Sequence, residues 1–397
     1  MADKGYHNIG LVSGDLNGVT VTNAALRLAD ASSHLLSLPL KHTETGYNTD
    51  YFIKEDIKEL REKELAVLKG YDAIFEGAIG DPTKLPPGVI EVGLLLKVRQ
   101  AFDQYVNLRP IVLPEGVPSI LVGKDHRHIN FEVCRENTEG LYVIDPENRV
   151  ENEGTDDEVG INIMKCSYRG VKRLAEYAAG RALLKGQEKG RKPRLHFVFK
   201  TNVLKCAGAP WTRVYKEFLG RKDLDVGYQH FDNFLMQMVT TPEDFDVALM
   251  ENFCGDGATD LGAMIAGGIG NGVSGNIDPT RRFPSMFEPL HGTAPNKWYT
   301  TLSPGEYEKG TFHPELVQQI KPEAAIRAYA MMLSHLGETK AAAAIDQAAL
   351  ANLRNPRYKE MKLDELVEAA CNFVRTPPVA IKKQLKWGNQ PGVTRIE

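Results

Sequence analysis

Asn252-Phe253-Cys254-Gly255-Asp256-Gly257-Ala258-Thr259-Asp260 is the stretch on which the reading of the fold turns. It follows Asp246–Met250, a short apolar run of strand character, and leads into Gly255–Ala266, whose pattern is helical despite its glycines. Strands and helices in alternation imply α/β layering. Residues four apart on a helix share one face, so Asp256 and Asp260 are expected one turn above the other. Two carboxylates so placed repel unless a cation lies between them, and Mg²⁺ and Mn²⁺ prefer hard oxygen ligands of this kind. Taken alone, the plainer reading stands first: an Asp near a helix N-terminus, favoured by the dipole, and a second Asp facing water.

The alternation extends outward on both sides. Strand-like runs lie at Ile9–Val12, Asp72–Phe75, Ile111–Leu113, Ser119–Val122, Phe131–Cys134, Leu195–Phe199 and Val226–Tyr228. Helical spacing covers Ala24–Leu38, Asp56–Lys69, Glu91–Asp103, Cys166–Leu184, Trp211–Leu219, Phe231–Val239, Pro322–Leu336 and Leu363–Val374. Val143–Gly160 breaks the pattern with acidic and turn-forming residues; it reads as a solvent loop or as an arm that packs on a partner subunit. Gly267–Asn276 is a glycine-rich loop, Pro304–Phe312 is turn-rich, and the chain from Lys382 onward reads as a poorly ordered tail. Gly268-Ile269-Gly270-Asn271-Gly272 imitates a dinucleotide fingerprint, but its spacing is wrong and it follows a helix rather than a strand.

Other residue groups carry possible chemistry. Arg99 and Arg109 flank a helix end and turn, and Arg135 follows a strand; three guanidinium forks converging on one point would bind a dicarboxylate. Each by itself reads as a structural or surface Arg. Lys200 ends the apolar run Phe197-Val198-Phe199, where burial would lower its pKa and suit it to general-base work; a snorkelling strand-end lysine is the plainer account. His291 lies in a tight loop, Phe287 through Pro295, whose small residues let backbone approach a ligand.

Composition excludes more than it selects. The chain has 397 residues, and 48 Lys and Arg against 52 Asp and Glu leave a net charge of −4, with no reason to expect nucleic acid or an anionic membrane as partner. Five scattered cysteines, Cys134, Cys166, Cys206, Cys254 and Cys371, show no zinc spacing, and their odd number speaks against a disulfide framework. Met1–Asn8 lacks the apolar stretch of a signal peptide and no run is long enough to span a bilayer, so a cytoplasmic protein is expected.

In this order, Phe102-Asp103-Gln104-Tyr105-Val106-Asn107-Leu108-Arg109-Pro110, Arg135 through Tyr142, Asn252 through Asp260 and Phe287 through Pro295 resemble the isocitrate/isopropylmalate dehydrogenase family of metal-dependent β-decarboxylating dehydrogenases. The first two segments are closest to its tartrate/(2R)-malate branch. The resemblance implies an isopropylmalate-dehydrogenase-like α/β fold rather than a Rossmann fold, with two α/β domains around a central cleft. Residues 1–104 and 267–397 would form the large cofactor-binding domain. Residues 105–266 would form a small domain with the dimer interface and an arm at about 143–163. It also implies roles. Arg99, Arg109 and Arg135 grip the substrate carboxylates, and Leu95 faces the substituent. Tyr142 protonates the enol, and Lys200 takes part in deprotonating the C2 hydroxyl. Asp232, Asp256 and Asp260 ligate Mg²⁺ or Mn²⁺, with Lys200 and Asp232 entering the neighbouring subunit's site in a homodimer or higher homo-oligomer. His291, Gly292, Thr293, Ala294, Asn296, Lys297 and Lys321 fall at the cofactor.

Departures from the family pattern are informative. Gly14-Asp15-Leu16-Asn17-Gly18-Val19-Thr20 replaces the usual Gly-Asp-Gly-Ile-Gly-Pro-Glu near the nicotinamide. Asn296 stands where NAD-using relatives place an Asp, and a longer insertion, at about 299–320, leads to Lys321. NAD is expected, with NADP as the alternative. Isocitrate enzymes place Ser and Asn where Gly93 and Leu95 stand, which argues against isocitrate because a buried carboxylate needs partners. The expected activity is oxidative decarboxylation of a malate-type 2-hydroxy diacid to a 2-keto acid. The alternatives are a 3-isopropylmalate- or isocitrate-like substrate with NADP, and a non-catalytic subunit of the same fold.

Overall fold

The computed structural model describes residues 5–295 and 314–376. Asn296, Lys297, the turn-rich Pro304–Phe312 and the tail from Lys382 lie outside the described residues. Twelve strands are found among them: β1 (His7–Val12), β2 (Leu40–Glu44), β3 (Ala73–Glu76), β4 (Val106–Val112), β5 (Asn130–Glu136), β6 (Arg149–Glu151), β7 (Val159–Ile161), β8 (Arg194–Val198), β9 (Asp225–Gln229), β10 (Val247–Met250), β11 (Val273–Ile277) and β12 (Ser285–Pro289). The helices are α1 (Asn17–Ala31), α2 (Thr49–Glu55), α3 (Glu62–Lys69), α4 (Lys97–Ala101), α5 (Tyr168–Lys189), α6 (Lys205–Phe218), α7 (Phe231–Thr240), α8 (Asn252–Ile265), α9 (Pro314–Val317), α10 (Glu323–Leu336), α11 (Thr339–Arg354) and α12 (Leu363–Arg375).

Ten strands form one sheet in the order β2-β1-β3-β12-β11-β4-β5-β10-β8-β9. The two flanks are parallel, as expected where strands alternate with covering helices, while β11 runs antiparallel to both β12 and β4, and β4 to β5. That central antiparallel ribbon departs from a doubly wound Rossmann sheet. On one face α1 and α10–α12 bury Phe75, Phe287 and Tyr329. On the other, Ile111, Phe131 and Met250 pack with α7 and α8, and Ile74 and Met286 pack with α2–α4.

Several local expectations needed correction. Ser119–Val122 is not a strand but a run of turns beside β5. The helix expected over Asp56–Lys69 is split: α2 ends in a left-handed residue at Asp56, and α3 begins only at Glu62. α11 has no counterpart in the periodicity, because its buried Ala341–Ala344 supply helix propensity without bulky residues to mark a face. The helix expected from Glu91 opens with a π-helical segment, Glu91–Leu96, before α4. Gly93 sits there so close to the neighbouring chain that a Cβ would come within 2.1 Å of the Lys58 carbonyl oxygen. Val143–Gly160 contains a two-stranded antiparallel hairpin, β6–β7, with Val150 and Val159 exposed.

Candidate active site

The antiparallel β4–β5 pair sets two arginines under the start of α8. Arg109 lies opposite Val133, and Arg135 opposite Asn107. β10 runs beside β5, and α8 starts directly after it, with the Glu251 carboxylate accepting from the amides of Phe253 and Cys254 at 3.0 and 3.1 Å. The second turn of α8 therefore passes over Arg135. Gly255 permits the crossing: a Cβ there would stand 2.5 Å from Arg135 Cγ.

Asp256 is where these groups meet. Its Oδ1 accepts from Arg135 Nη1 and, at 3.2 Å, from Arg109 Nη1, while its Oδ2 accepts from the Tyr142 hydroxyl at 3.2 Å. Arg135 donates further from Nε and Nη2 to Asn252 Oδ1, at 2.9 and 2.7 Å, and Arg109 Nη1 reaches Thr259 Oγ1 at 2.6 Å. Burial works to raise the proton affinity of the Asp256 carboxyl, but Arg135 and Arg109 outweigh it and hold the carboxyl below its usual range. Burial, and then the neighbouring Arg109 charge, bring the Arg135 guanidinium down to about 9. Tyr142 moves the other way, kept protonated by burial and then by the Asp256 charge.

Asp260, one turn beyond, lies 4.0 Å from Arg109 Nη1 and is mostly exposed. Partial burial and then the Asp256 charge raise its carboxyl above the usual range. This like-charge conflict between two hard oxygen donors at a solvent-facing rim fits a divalent cation. Among the described residues no group of three His, Cys, Asp or Glu is gathered closely enough to hold a metal, so Asp232 does not join Asp256 and Asp260 within one chain. Asp232, at the start of α7, is instead held by Lys200 Nζ at 2.6 Å.

Arg99 reaches the same region from α4, where its charge acts on both Arg109 and Arg135; its Nη2 donates to Glu288 Oε1 at 2.9 Å. Leu95 is partly buried and packs against the cluster that contains Phe52, Leu94 and Val98. The loop after β12 brings Gly292, Thr293 and Ala294 to a cavity of about 250 Å³ that Gly80, Asp81 and Glu91 also line. Thr293 Oγ1 donates to Gly80 O at 2.8 Å, and Asn17 N to Thr293 O at 3.4 Å. His291 Nε2 is buried without a hydrogen-bond partner, which suits a loop that receives a polar cofactor. Lys321 spends its ammonium on the carbonyls of Tyr358 and Met361, at 2.9 and 2.7 Å. Sequence reasoning did not single out Asn252, Thr259 or Glu288 as partners of the arginines. All lie inside quoted motifs, but only strand pairing shows which arginine each one meets.

With this geometry in hand, comparison with known proteins identifies the class. A family model described as isocitrate/isopropylmalate dehydrogenase matches residues 8–376. The 3-isopropylmalate dehydrogenase of Mycobacterium sp. (strain KMS) is 38% identical over 356 residues, covering 89% of this chain and 96% of that protein. That of Mycobacterium leprae (strain Br4923) is 40% identical over 316 residues, 78% of this chain and 85% of the relative. The crystal structure of isocitrate dehydrogenase from Methylococcus capsulatus superimposes with a TM-score of 0.76 at 26% identity, over 93% of this chain and 99% of that one. This chain belongs to the isocitrate/isopropylmalate dehydrogenase family. It is accordingly an oxidoreductase, a decarboxylating dehydrogenase of a family whose members use NAD and Mg²⁺ or Mn²⁺.

Proposed function

We propose that this protein oxidatively decarboxylates a 3-alkyl-substituted malate of the 3-isopropylmalate kind, reducing NAD. The observation that carries the reading is the gathering of Arg109, Arg135 and Tyr142 on the single carboxylate of Asp256, a layout that binds and turns over a hydroxy diacid. The malate-type diacid, the first expectation from the sequence, is less well supported than its 3-isopropylmalate-like alternative, because relatives at 38% and 40% identity are named for 3-isopropylmalate. Leu95, partly buried beside the cluster of Phe52, Leu94 and Val98, supplies apolar surface for the substituent. Gly93, hemmed in by the Lys58 carbonyl, has no room for the serine that would hold isocitrate's third carboxylate.

A substrate carboxylate that takes over the Arg109 and Arg135 forks leaves Asp256 free to act with Asp260 as a cation ligand. The bound divalent ion supplies Lewis-acid polarisation of the C2 oxygen. Lys200 takes part in removing the C2 hydroxyl proton, and NAD bound on the His291–Ala294 side would supply the acceptor for the C2 hydride. The bond from C3 to its carboxylate then breaks to give carbon dioxide, and Tyr142 returns a proton to C3 of the enolate. His291, Gly292, Thr293 and Ala294 line the cofactor side, with Arg99 completing the grip on the diacid.

Lys200 and Asp232 act in the site of a second copy of the chain. Exposed Val203, Leu204, Met236, Val239 and Phe253 on and beside α6–α8 support that homodimer, and the β6–β7 hairpin is its arm. Residues 1–104 with 267–397 form one domain and 105–266 the other, a division supported by the β11–β4 pairing at which the two portions of chain meet. A cytoplasmic location is supported by five free cysteines and by the absence, among the described residues, of a helix long and apolar enough to cross a membrane.

The test is a panel of 3-isopropylmalate, (2R)-malate, tartrate and isocitrate with Mn²⁺ and either NAD or NADP, read by absorbance of the reduced cofactor. The expected result is the highest kcat/KM for 3-isopropylmalate with NAD. A higher value for (2R)-malate would restore the malate-type reading, and silence across the panel would overturn both.

A further inference from the structure

Glu76 is a buried acid that the reaction above does not use. It ends β3, and the parallel register that sets Phe287 opposite Phe75 continues to bring Glu288 of β12 beside it, both side chains on one face. That face is covered by the π-helical segment and α4, where Ile74, Met286, Leu94 and Val98 pack in one cluster. Glu76 is 1% exposed, and its Oε2 has no hydrogen-bond partner. Glu288 is held differently: its Oε1 accepts from Arg99 Nη2 at 2.9 Å, Ser274 Oγ at 2.9 Å and Asn276 Nδ2 at 3.0 Å. Two carboxyl groups and one guanidinium are therefore shut into the same small space.

Charge counting decides where the protons lie. With both carboxyls ionised the cluster would carry one uncompensated negative charge away from water, which is costly. Three donors on Glu288 Oε1 favour its ionised form. Against ionisation of Glu76 stand burial and then the Glu288 charge, with only Arg99 favouring it. These are the charged groups that act on Glu76 from the elements packed around it; Arg109 in turn acts on Arg99 and Glu288 from β4. A neutral Glu76 is a donor as well as an acceptor, and the strand register sets the Glu288 carboxylate beside it as an acceptor.

We propose that Glu76 is a positioning residue: as a neutral acid it donates to Glu288 and holds that carboxylate under Arg99, so that Arg99 presents a fixed fork to the substrate. Ionisation of Glu76 puts a second anion beside Arg99 and draws it out of place. The linkage follows: alignment is kept while Glu76 is protonated and is lost as pH rises through its elevated pKa, so the KM for the diacid climbs on the alkaline side. The proposal rests on the assignment of Arg99 to the substrate.

Infrared difference spectra of wild type against Glu76→Gln read the proton without reference to Arg99. Near neutral pH the wild type should show a protonated-carboxyl C=O band that the variant lacks, over the background that Glu136, lifted to about 7, gives in both. Absence of that difference band overturns the proposal. Glu76→Gln keeps a donor and cannot ionise, so its KM near neutral pH should stay close to wild type and its alkaline rise should vanish. Persistence of that rise overturns the proposal as well. Glu76→Leu removes the donor and should raise KM about tenfold, the worth of one charged hydrogen bond, with a smaller change in kcat. If the band is present and Glu76→Leu leaves KM alone, the positioning role fails. Arg99→Lys in the same assay separates the causes, because an unchanged KM there sinks the assignment of Arg99 to the substrate.

Discussion

Asp232 and Asp256 occupy nearly the same local context, each in the first turns of a helix that follows a parallel strand, and the fold treats them in opposite ways. Asp256 follows β10, which lies inside the sheet between β5 and β8, so neighbouring strands supply Arg135 and Arg109 beneath it. Asp232 follows β9, the edge strand, and its side chain is 62% exposed with Lys200 as its ion-pair partner. A carboxylate over the middle of a sheet finds its partners in its own chain. One at the edge keeps a single ion-pair partner and an open side. On the proposal that sites are shared between two copies, the densely connected half of each would lie around Asp256 and the outward half around Asp232.

The largest effects should fall on the central half. Asp256→Asn should lower turnover by about a thousandfold, the upper range for removing one group that stabilises developing charge. It should also cost about 1–3 kcal/mol of stability, because two buried guanidiniums lose their charged acceptor. Asp232→Asn should reduce turnover too, yet leave stability within about 0.5 kcal/mol, as expected for an exposed pair. Thermal unfolding beside steady-state rates checks both, and equal stability losses would break the contrast between centre and edge.

A second experiment sharpens the contrast into a statement about assembly. Lys200→Ala and Asp256→Asn should each be inactive alone. Mixed under conditions of subunit exchange, they should regain about a quarter of wild-type activity, since half the dimers then hold one intact site of two. No recovery would mean that both residues serve the same chain's site.

An effect on stability without a role in turnover concerns Glu136, at the end of β5, which accepts from the amides of Thr138 and Glu139 at 2.9 and 2.5 Å and so shapes the turn leading to Tyr142. Burial is the main cause that lifts its carboxyl from 4.5 to about 7. A carboxyl raised in the folded state contributes stability that is fully present below about 4.5 and is lost as pH rises through about 7. Glu136→Gln should flatten the pH dependence of unfolding across that window by on the order of 1–3 kcal/mol. An unchanged slope in denaturant titrations would place that dependence on another group.

Much of this architecture was legible from residue order. Helical spacing set Asp256 and Asp260 on one face, and the β3, β5, β8 and β9 runs stood out by their apolar residues. The glycine stretch at Gly268 was set aside as a dinucleotide turn, and it forms a short 3₁₀ turn after α8. What escaped were features with weak periodic signals. The alanine helix α11 has no bulky stripe, β12 was hidden inside a motif read as a loop, and Ser119–Val122 looked like a strand because it is apolar, whereas Ile120 and Val122 are exposed and only Leu121 packs inward. The arginines and the aspartates were each noticed, but as separate groups. That Asp256 binds Arg109 and Arg135 directly depends on β4 pairing with β5 and on α8 crossing above them. The sequence could not show that removing this acid should also cost stability.

By itself, the order of residues determined the α/β alternation, the family and the kinds of side chain available for chemistry, because periodicity and motif spacing are local properties of the chain. Tertiary structure alone decided which of those side chains share one space. Asp256 meets two guanidiniums and Glu76 meets Glu288 through strands and helices distant in sequence. Burial in that shared space, rather than residue type, sets which acid keeps its proton and which keeps its charge.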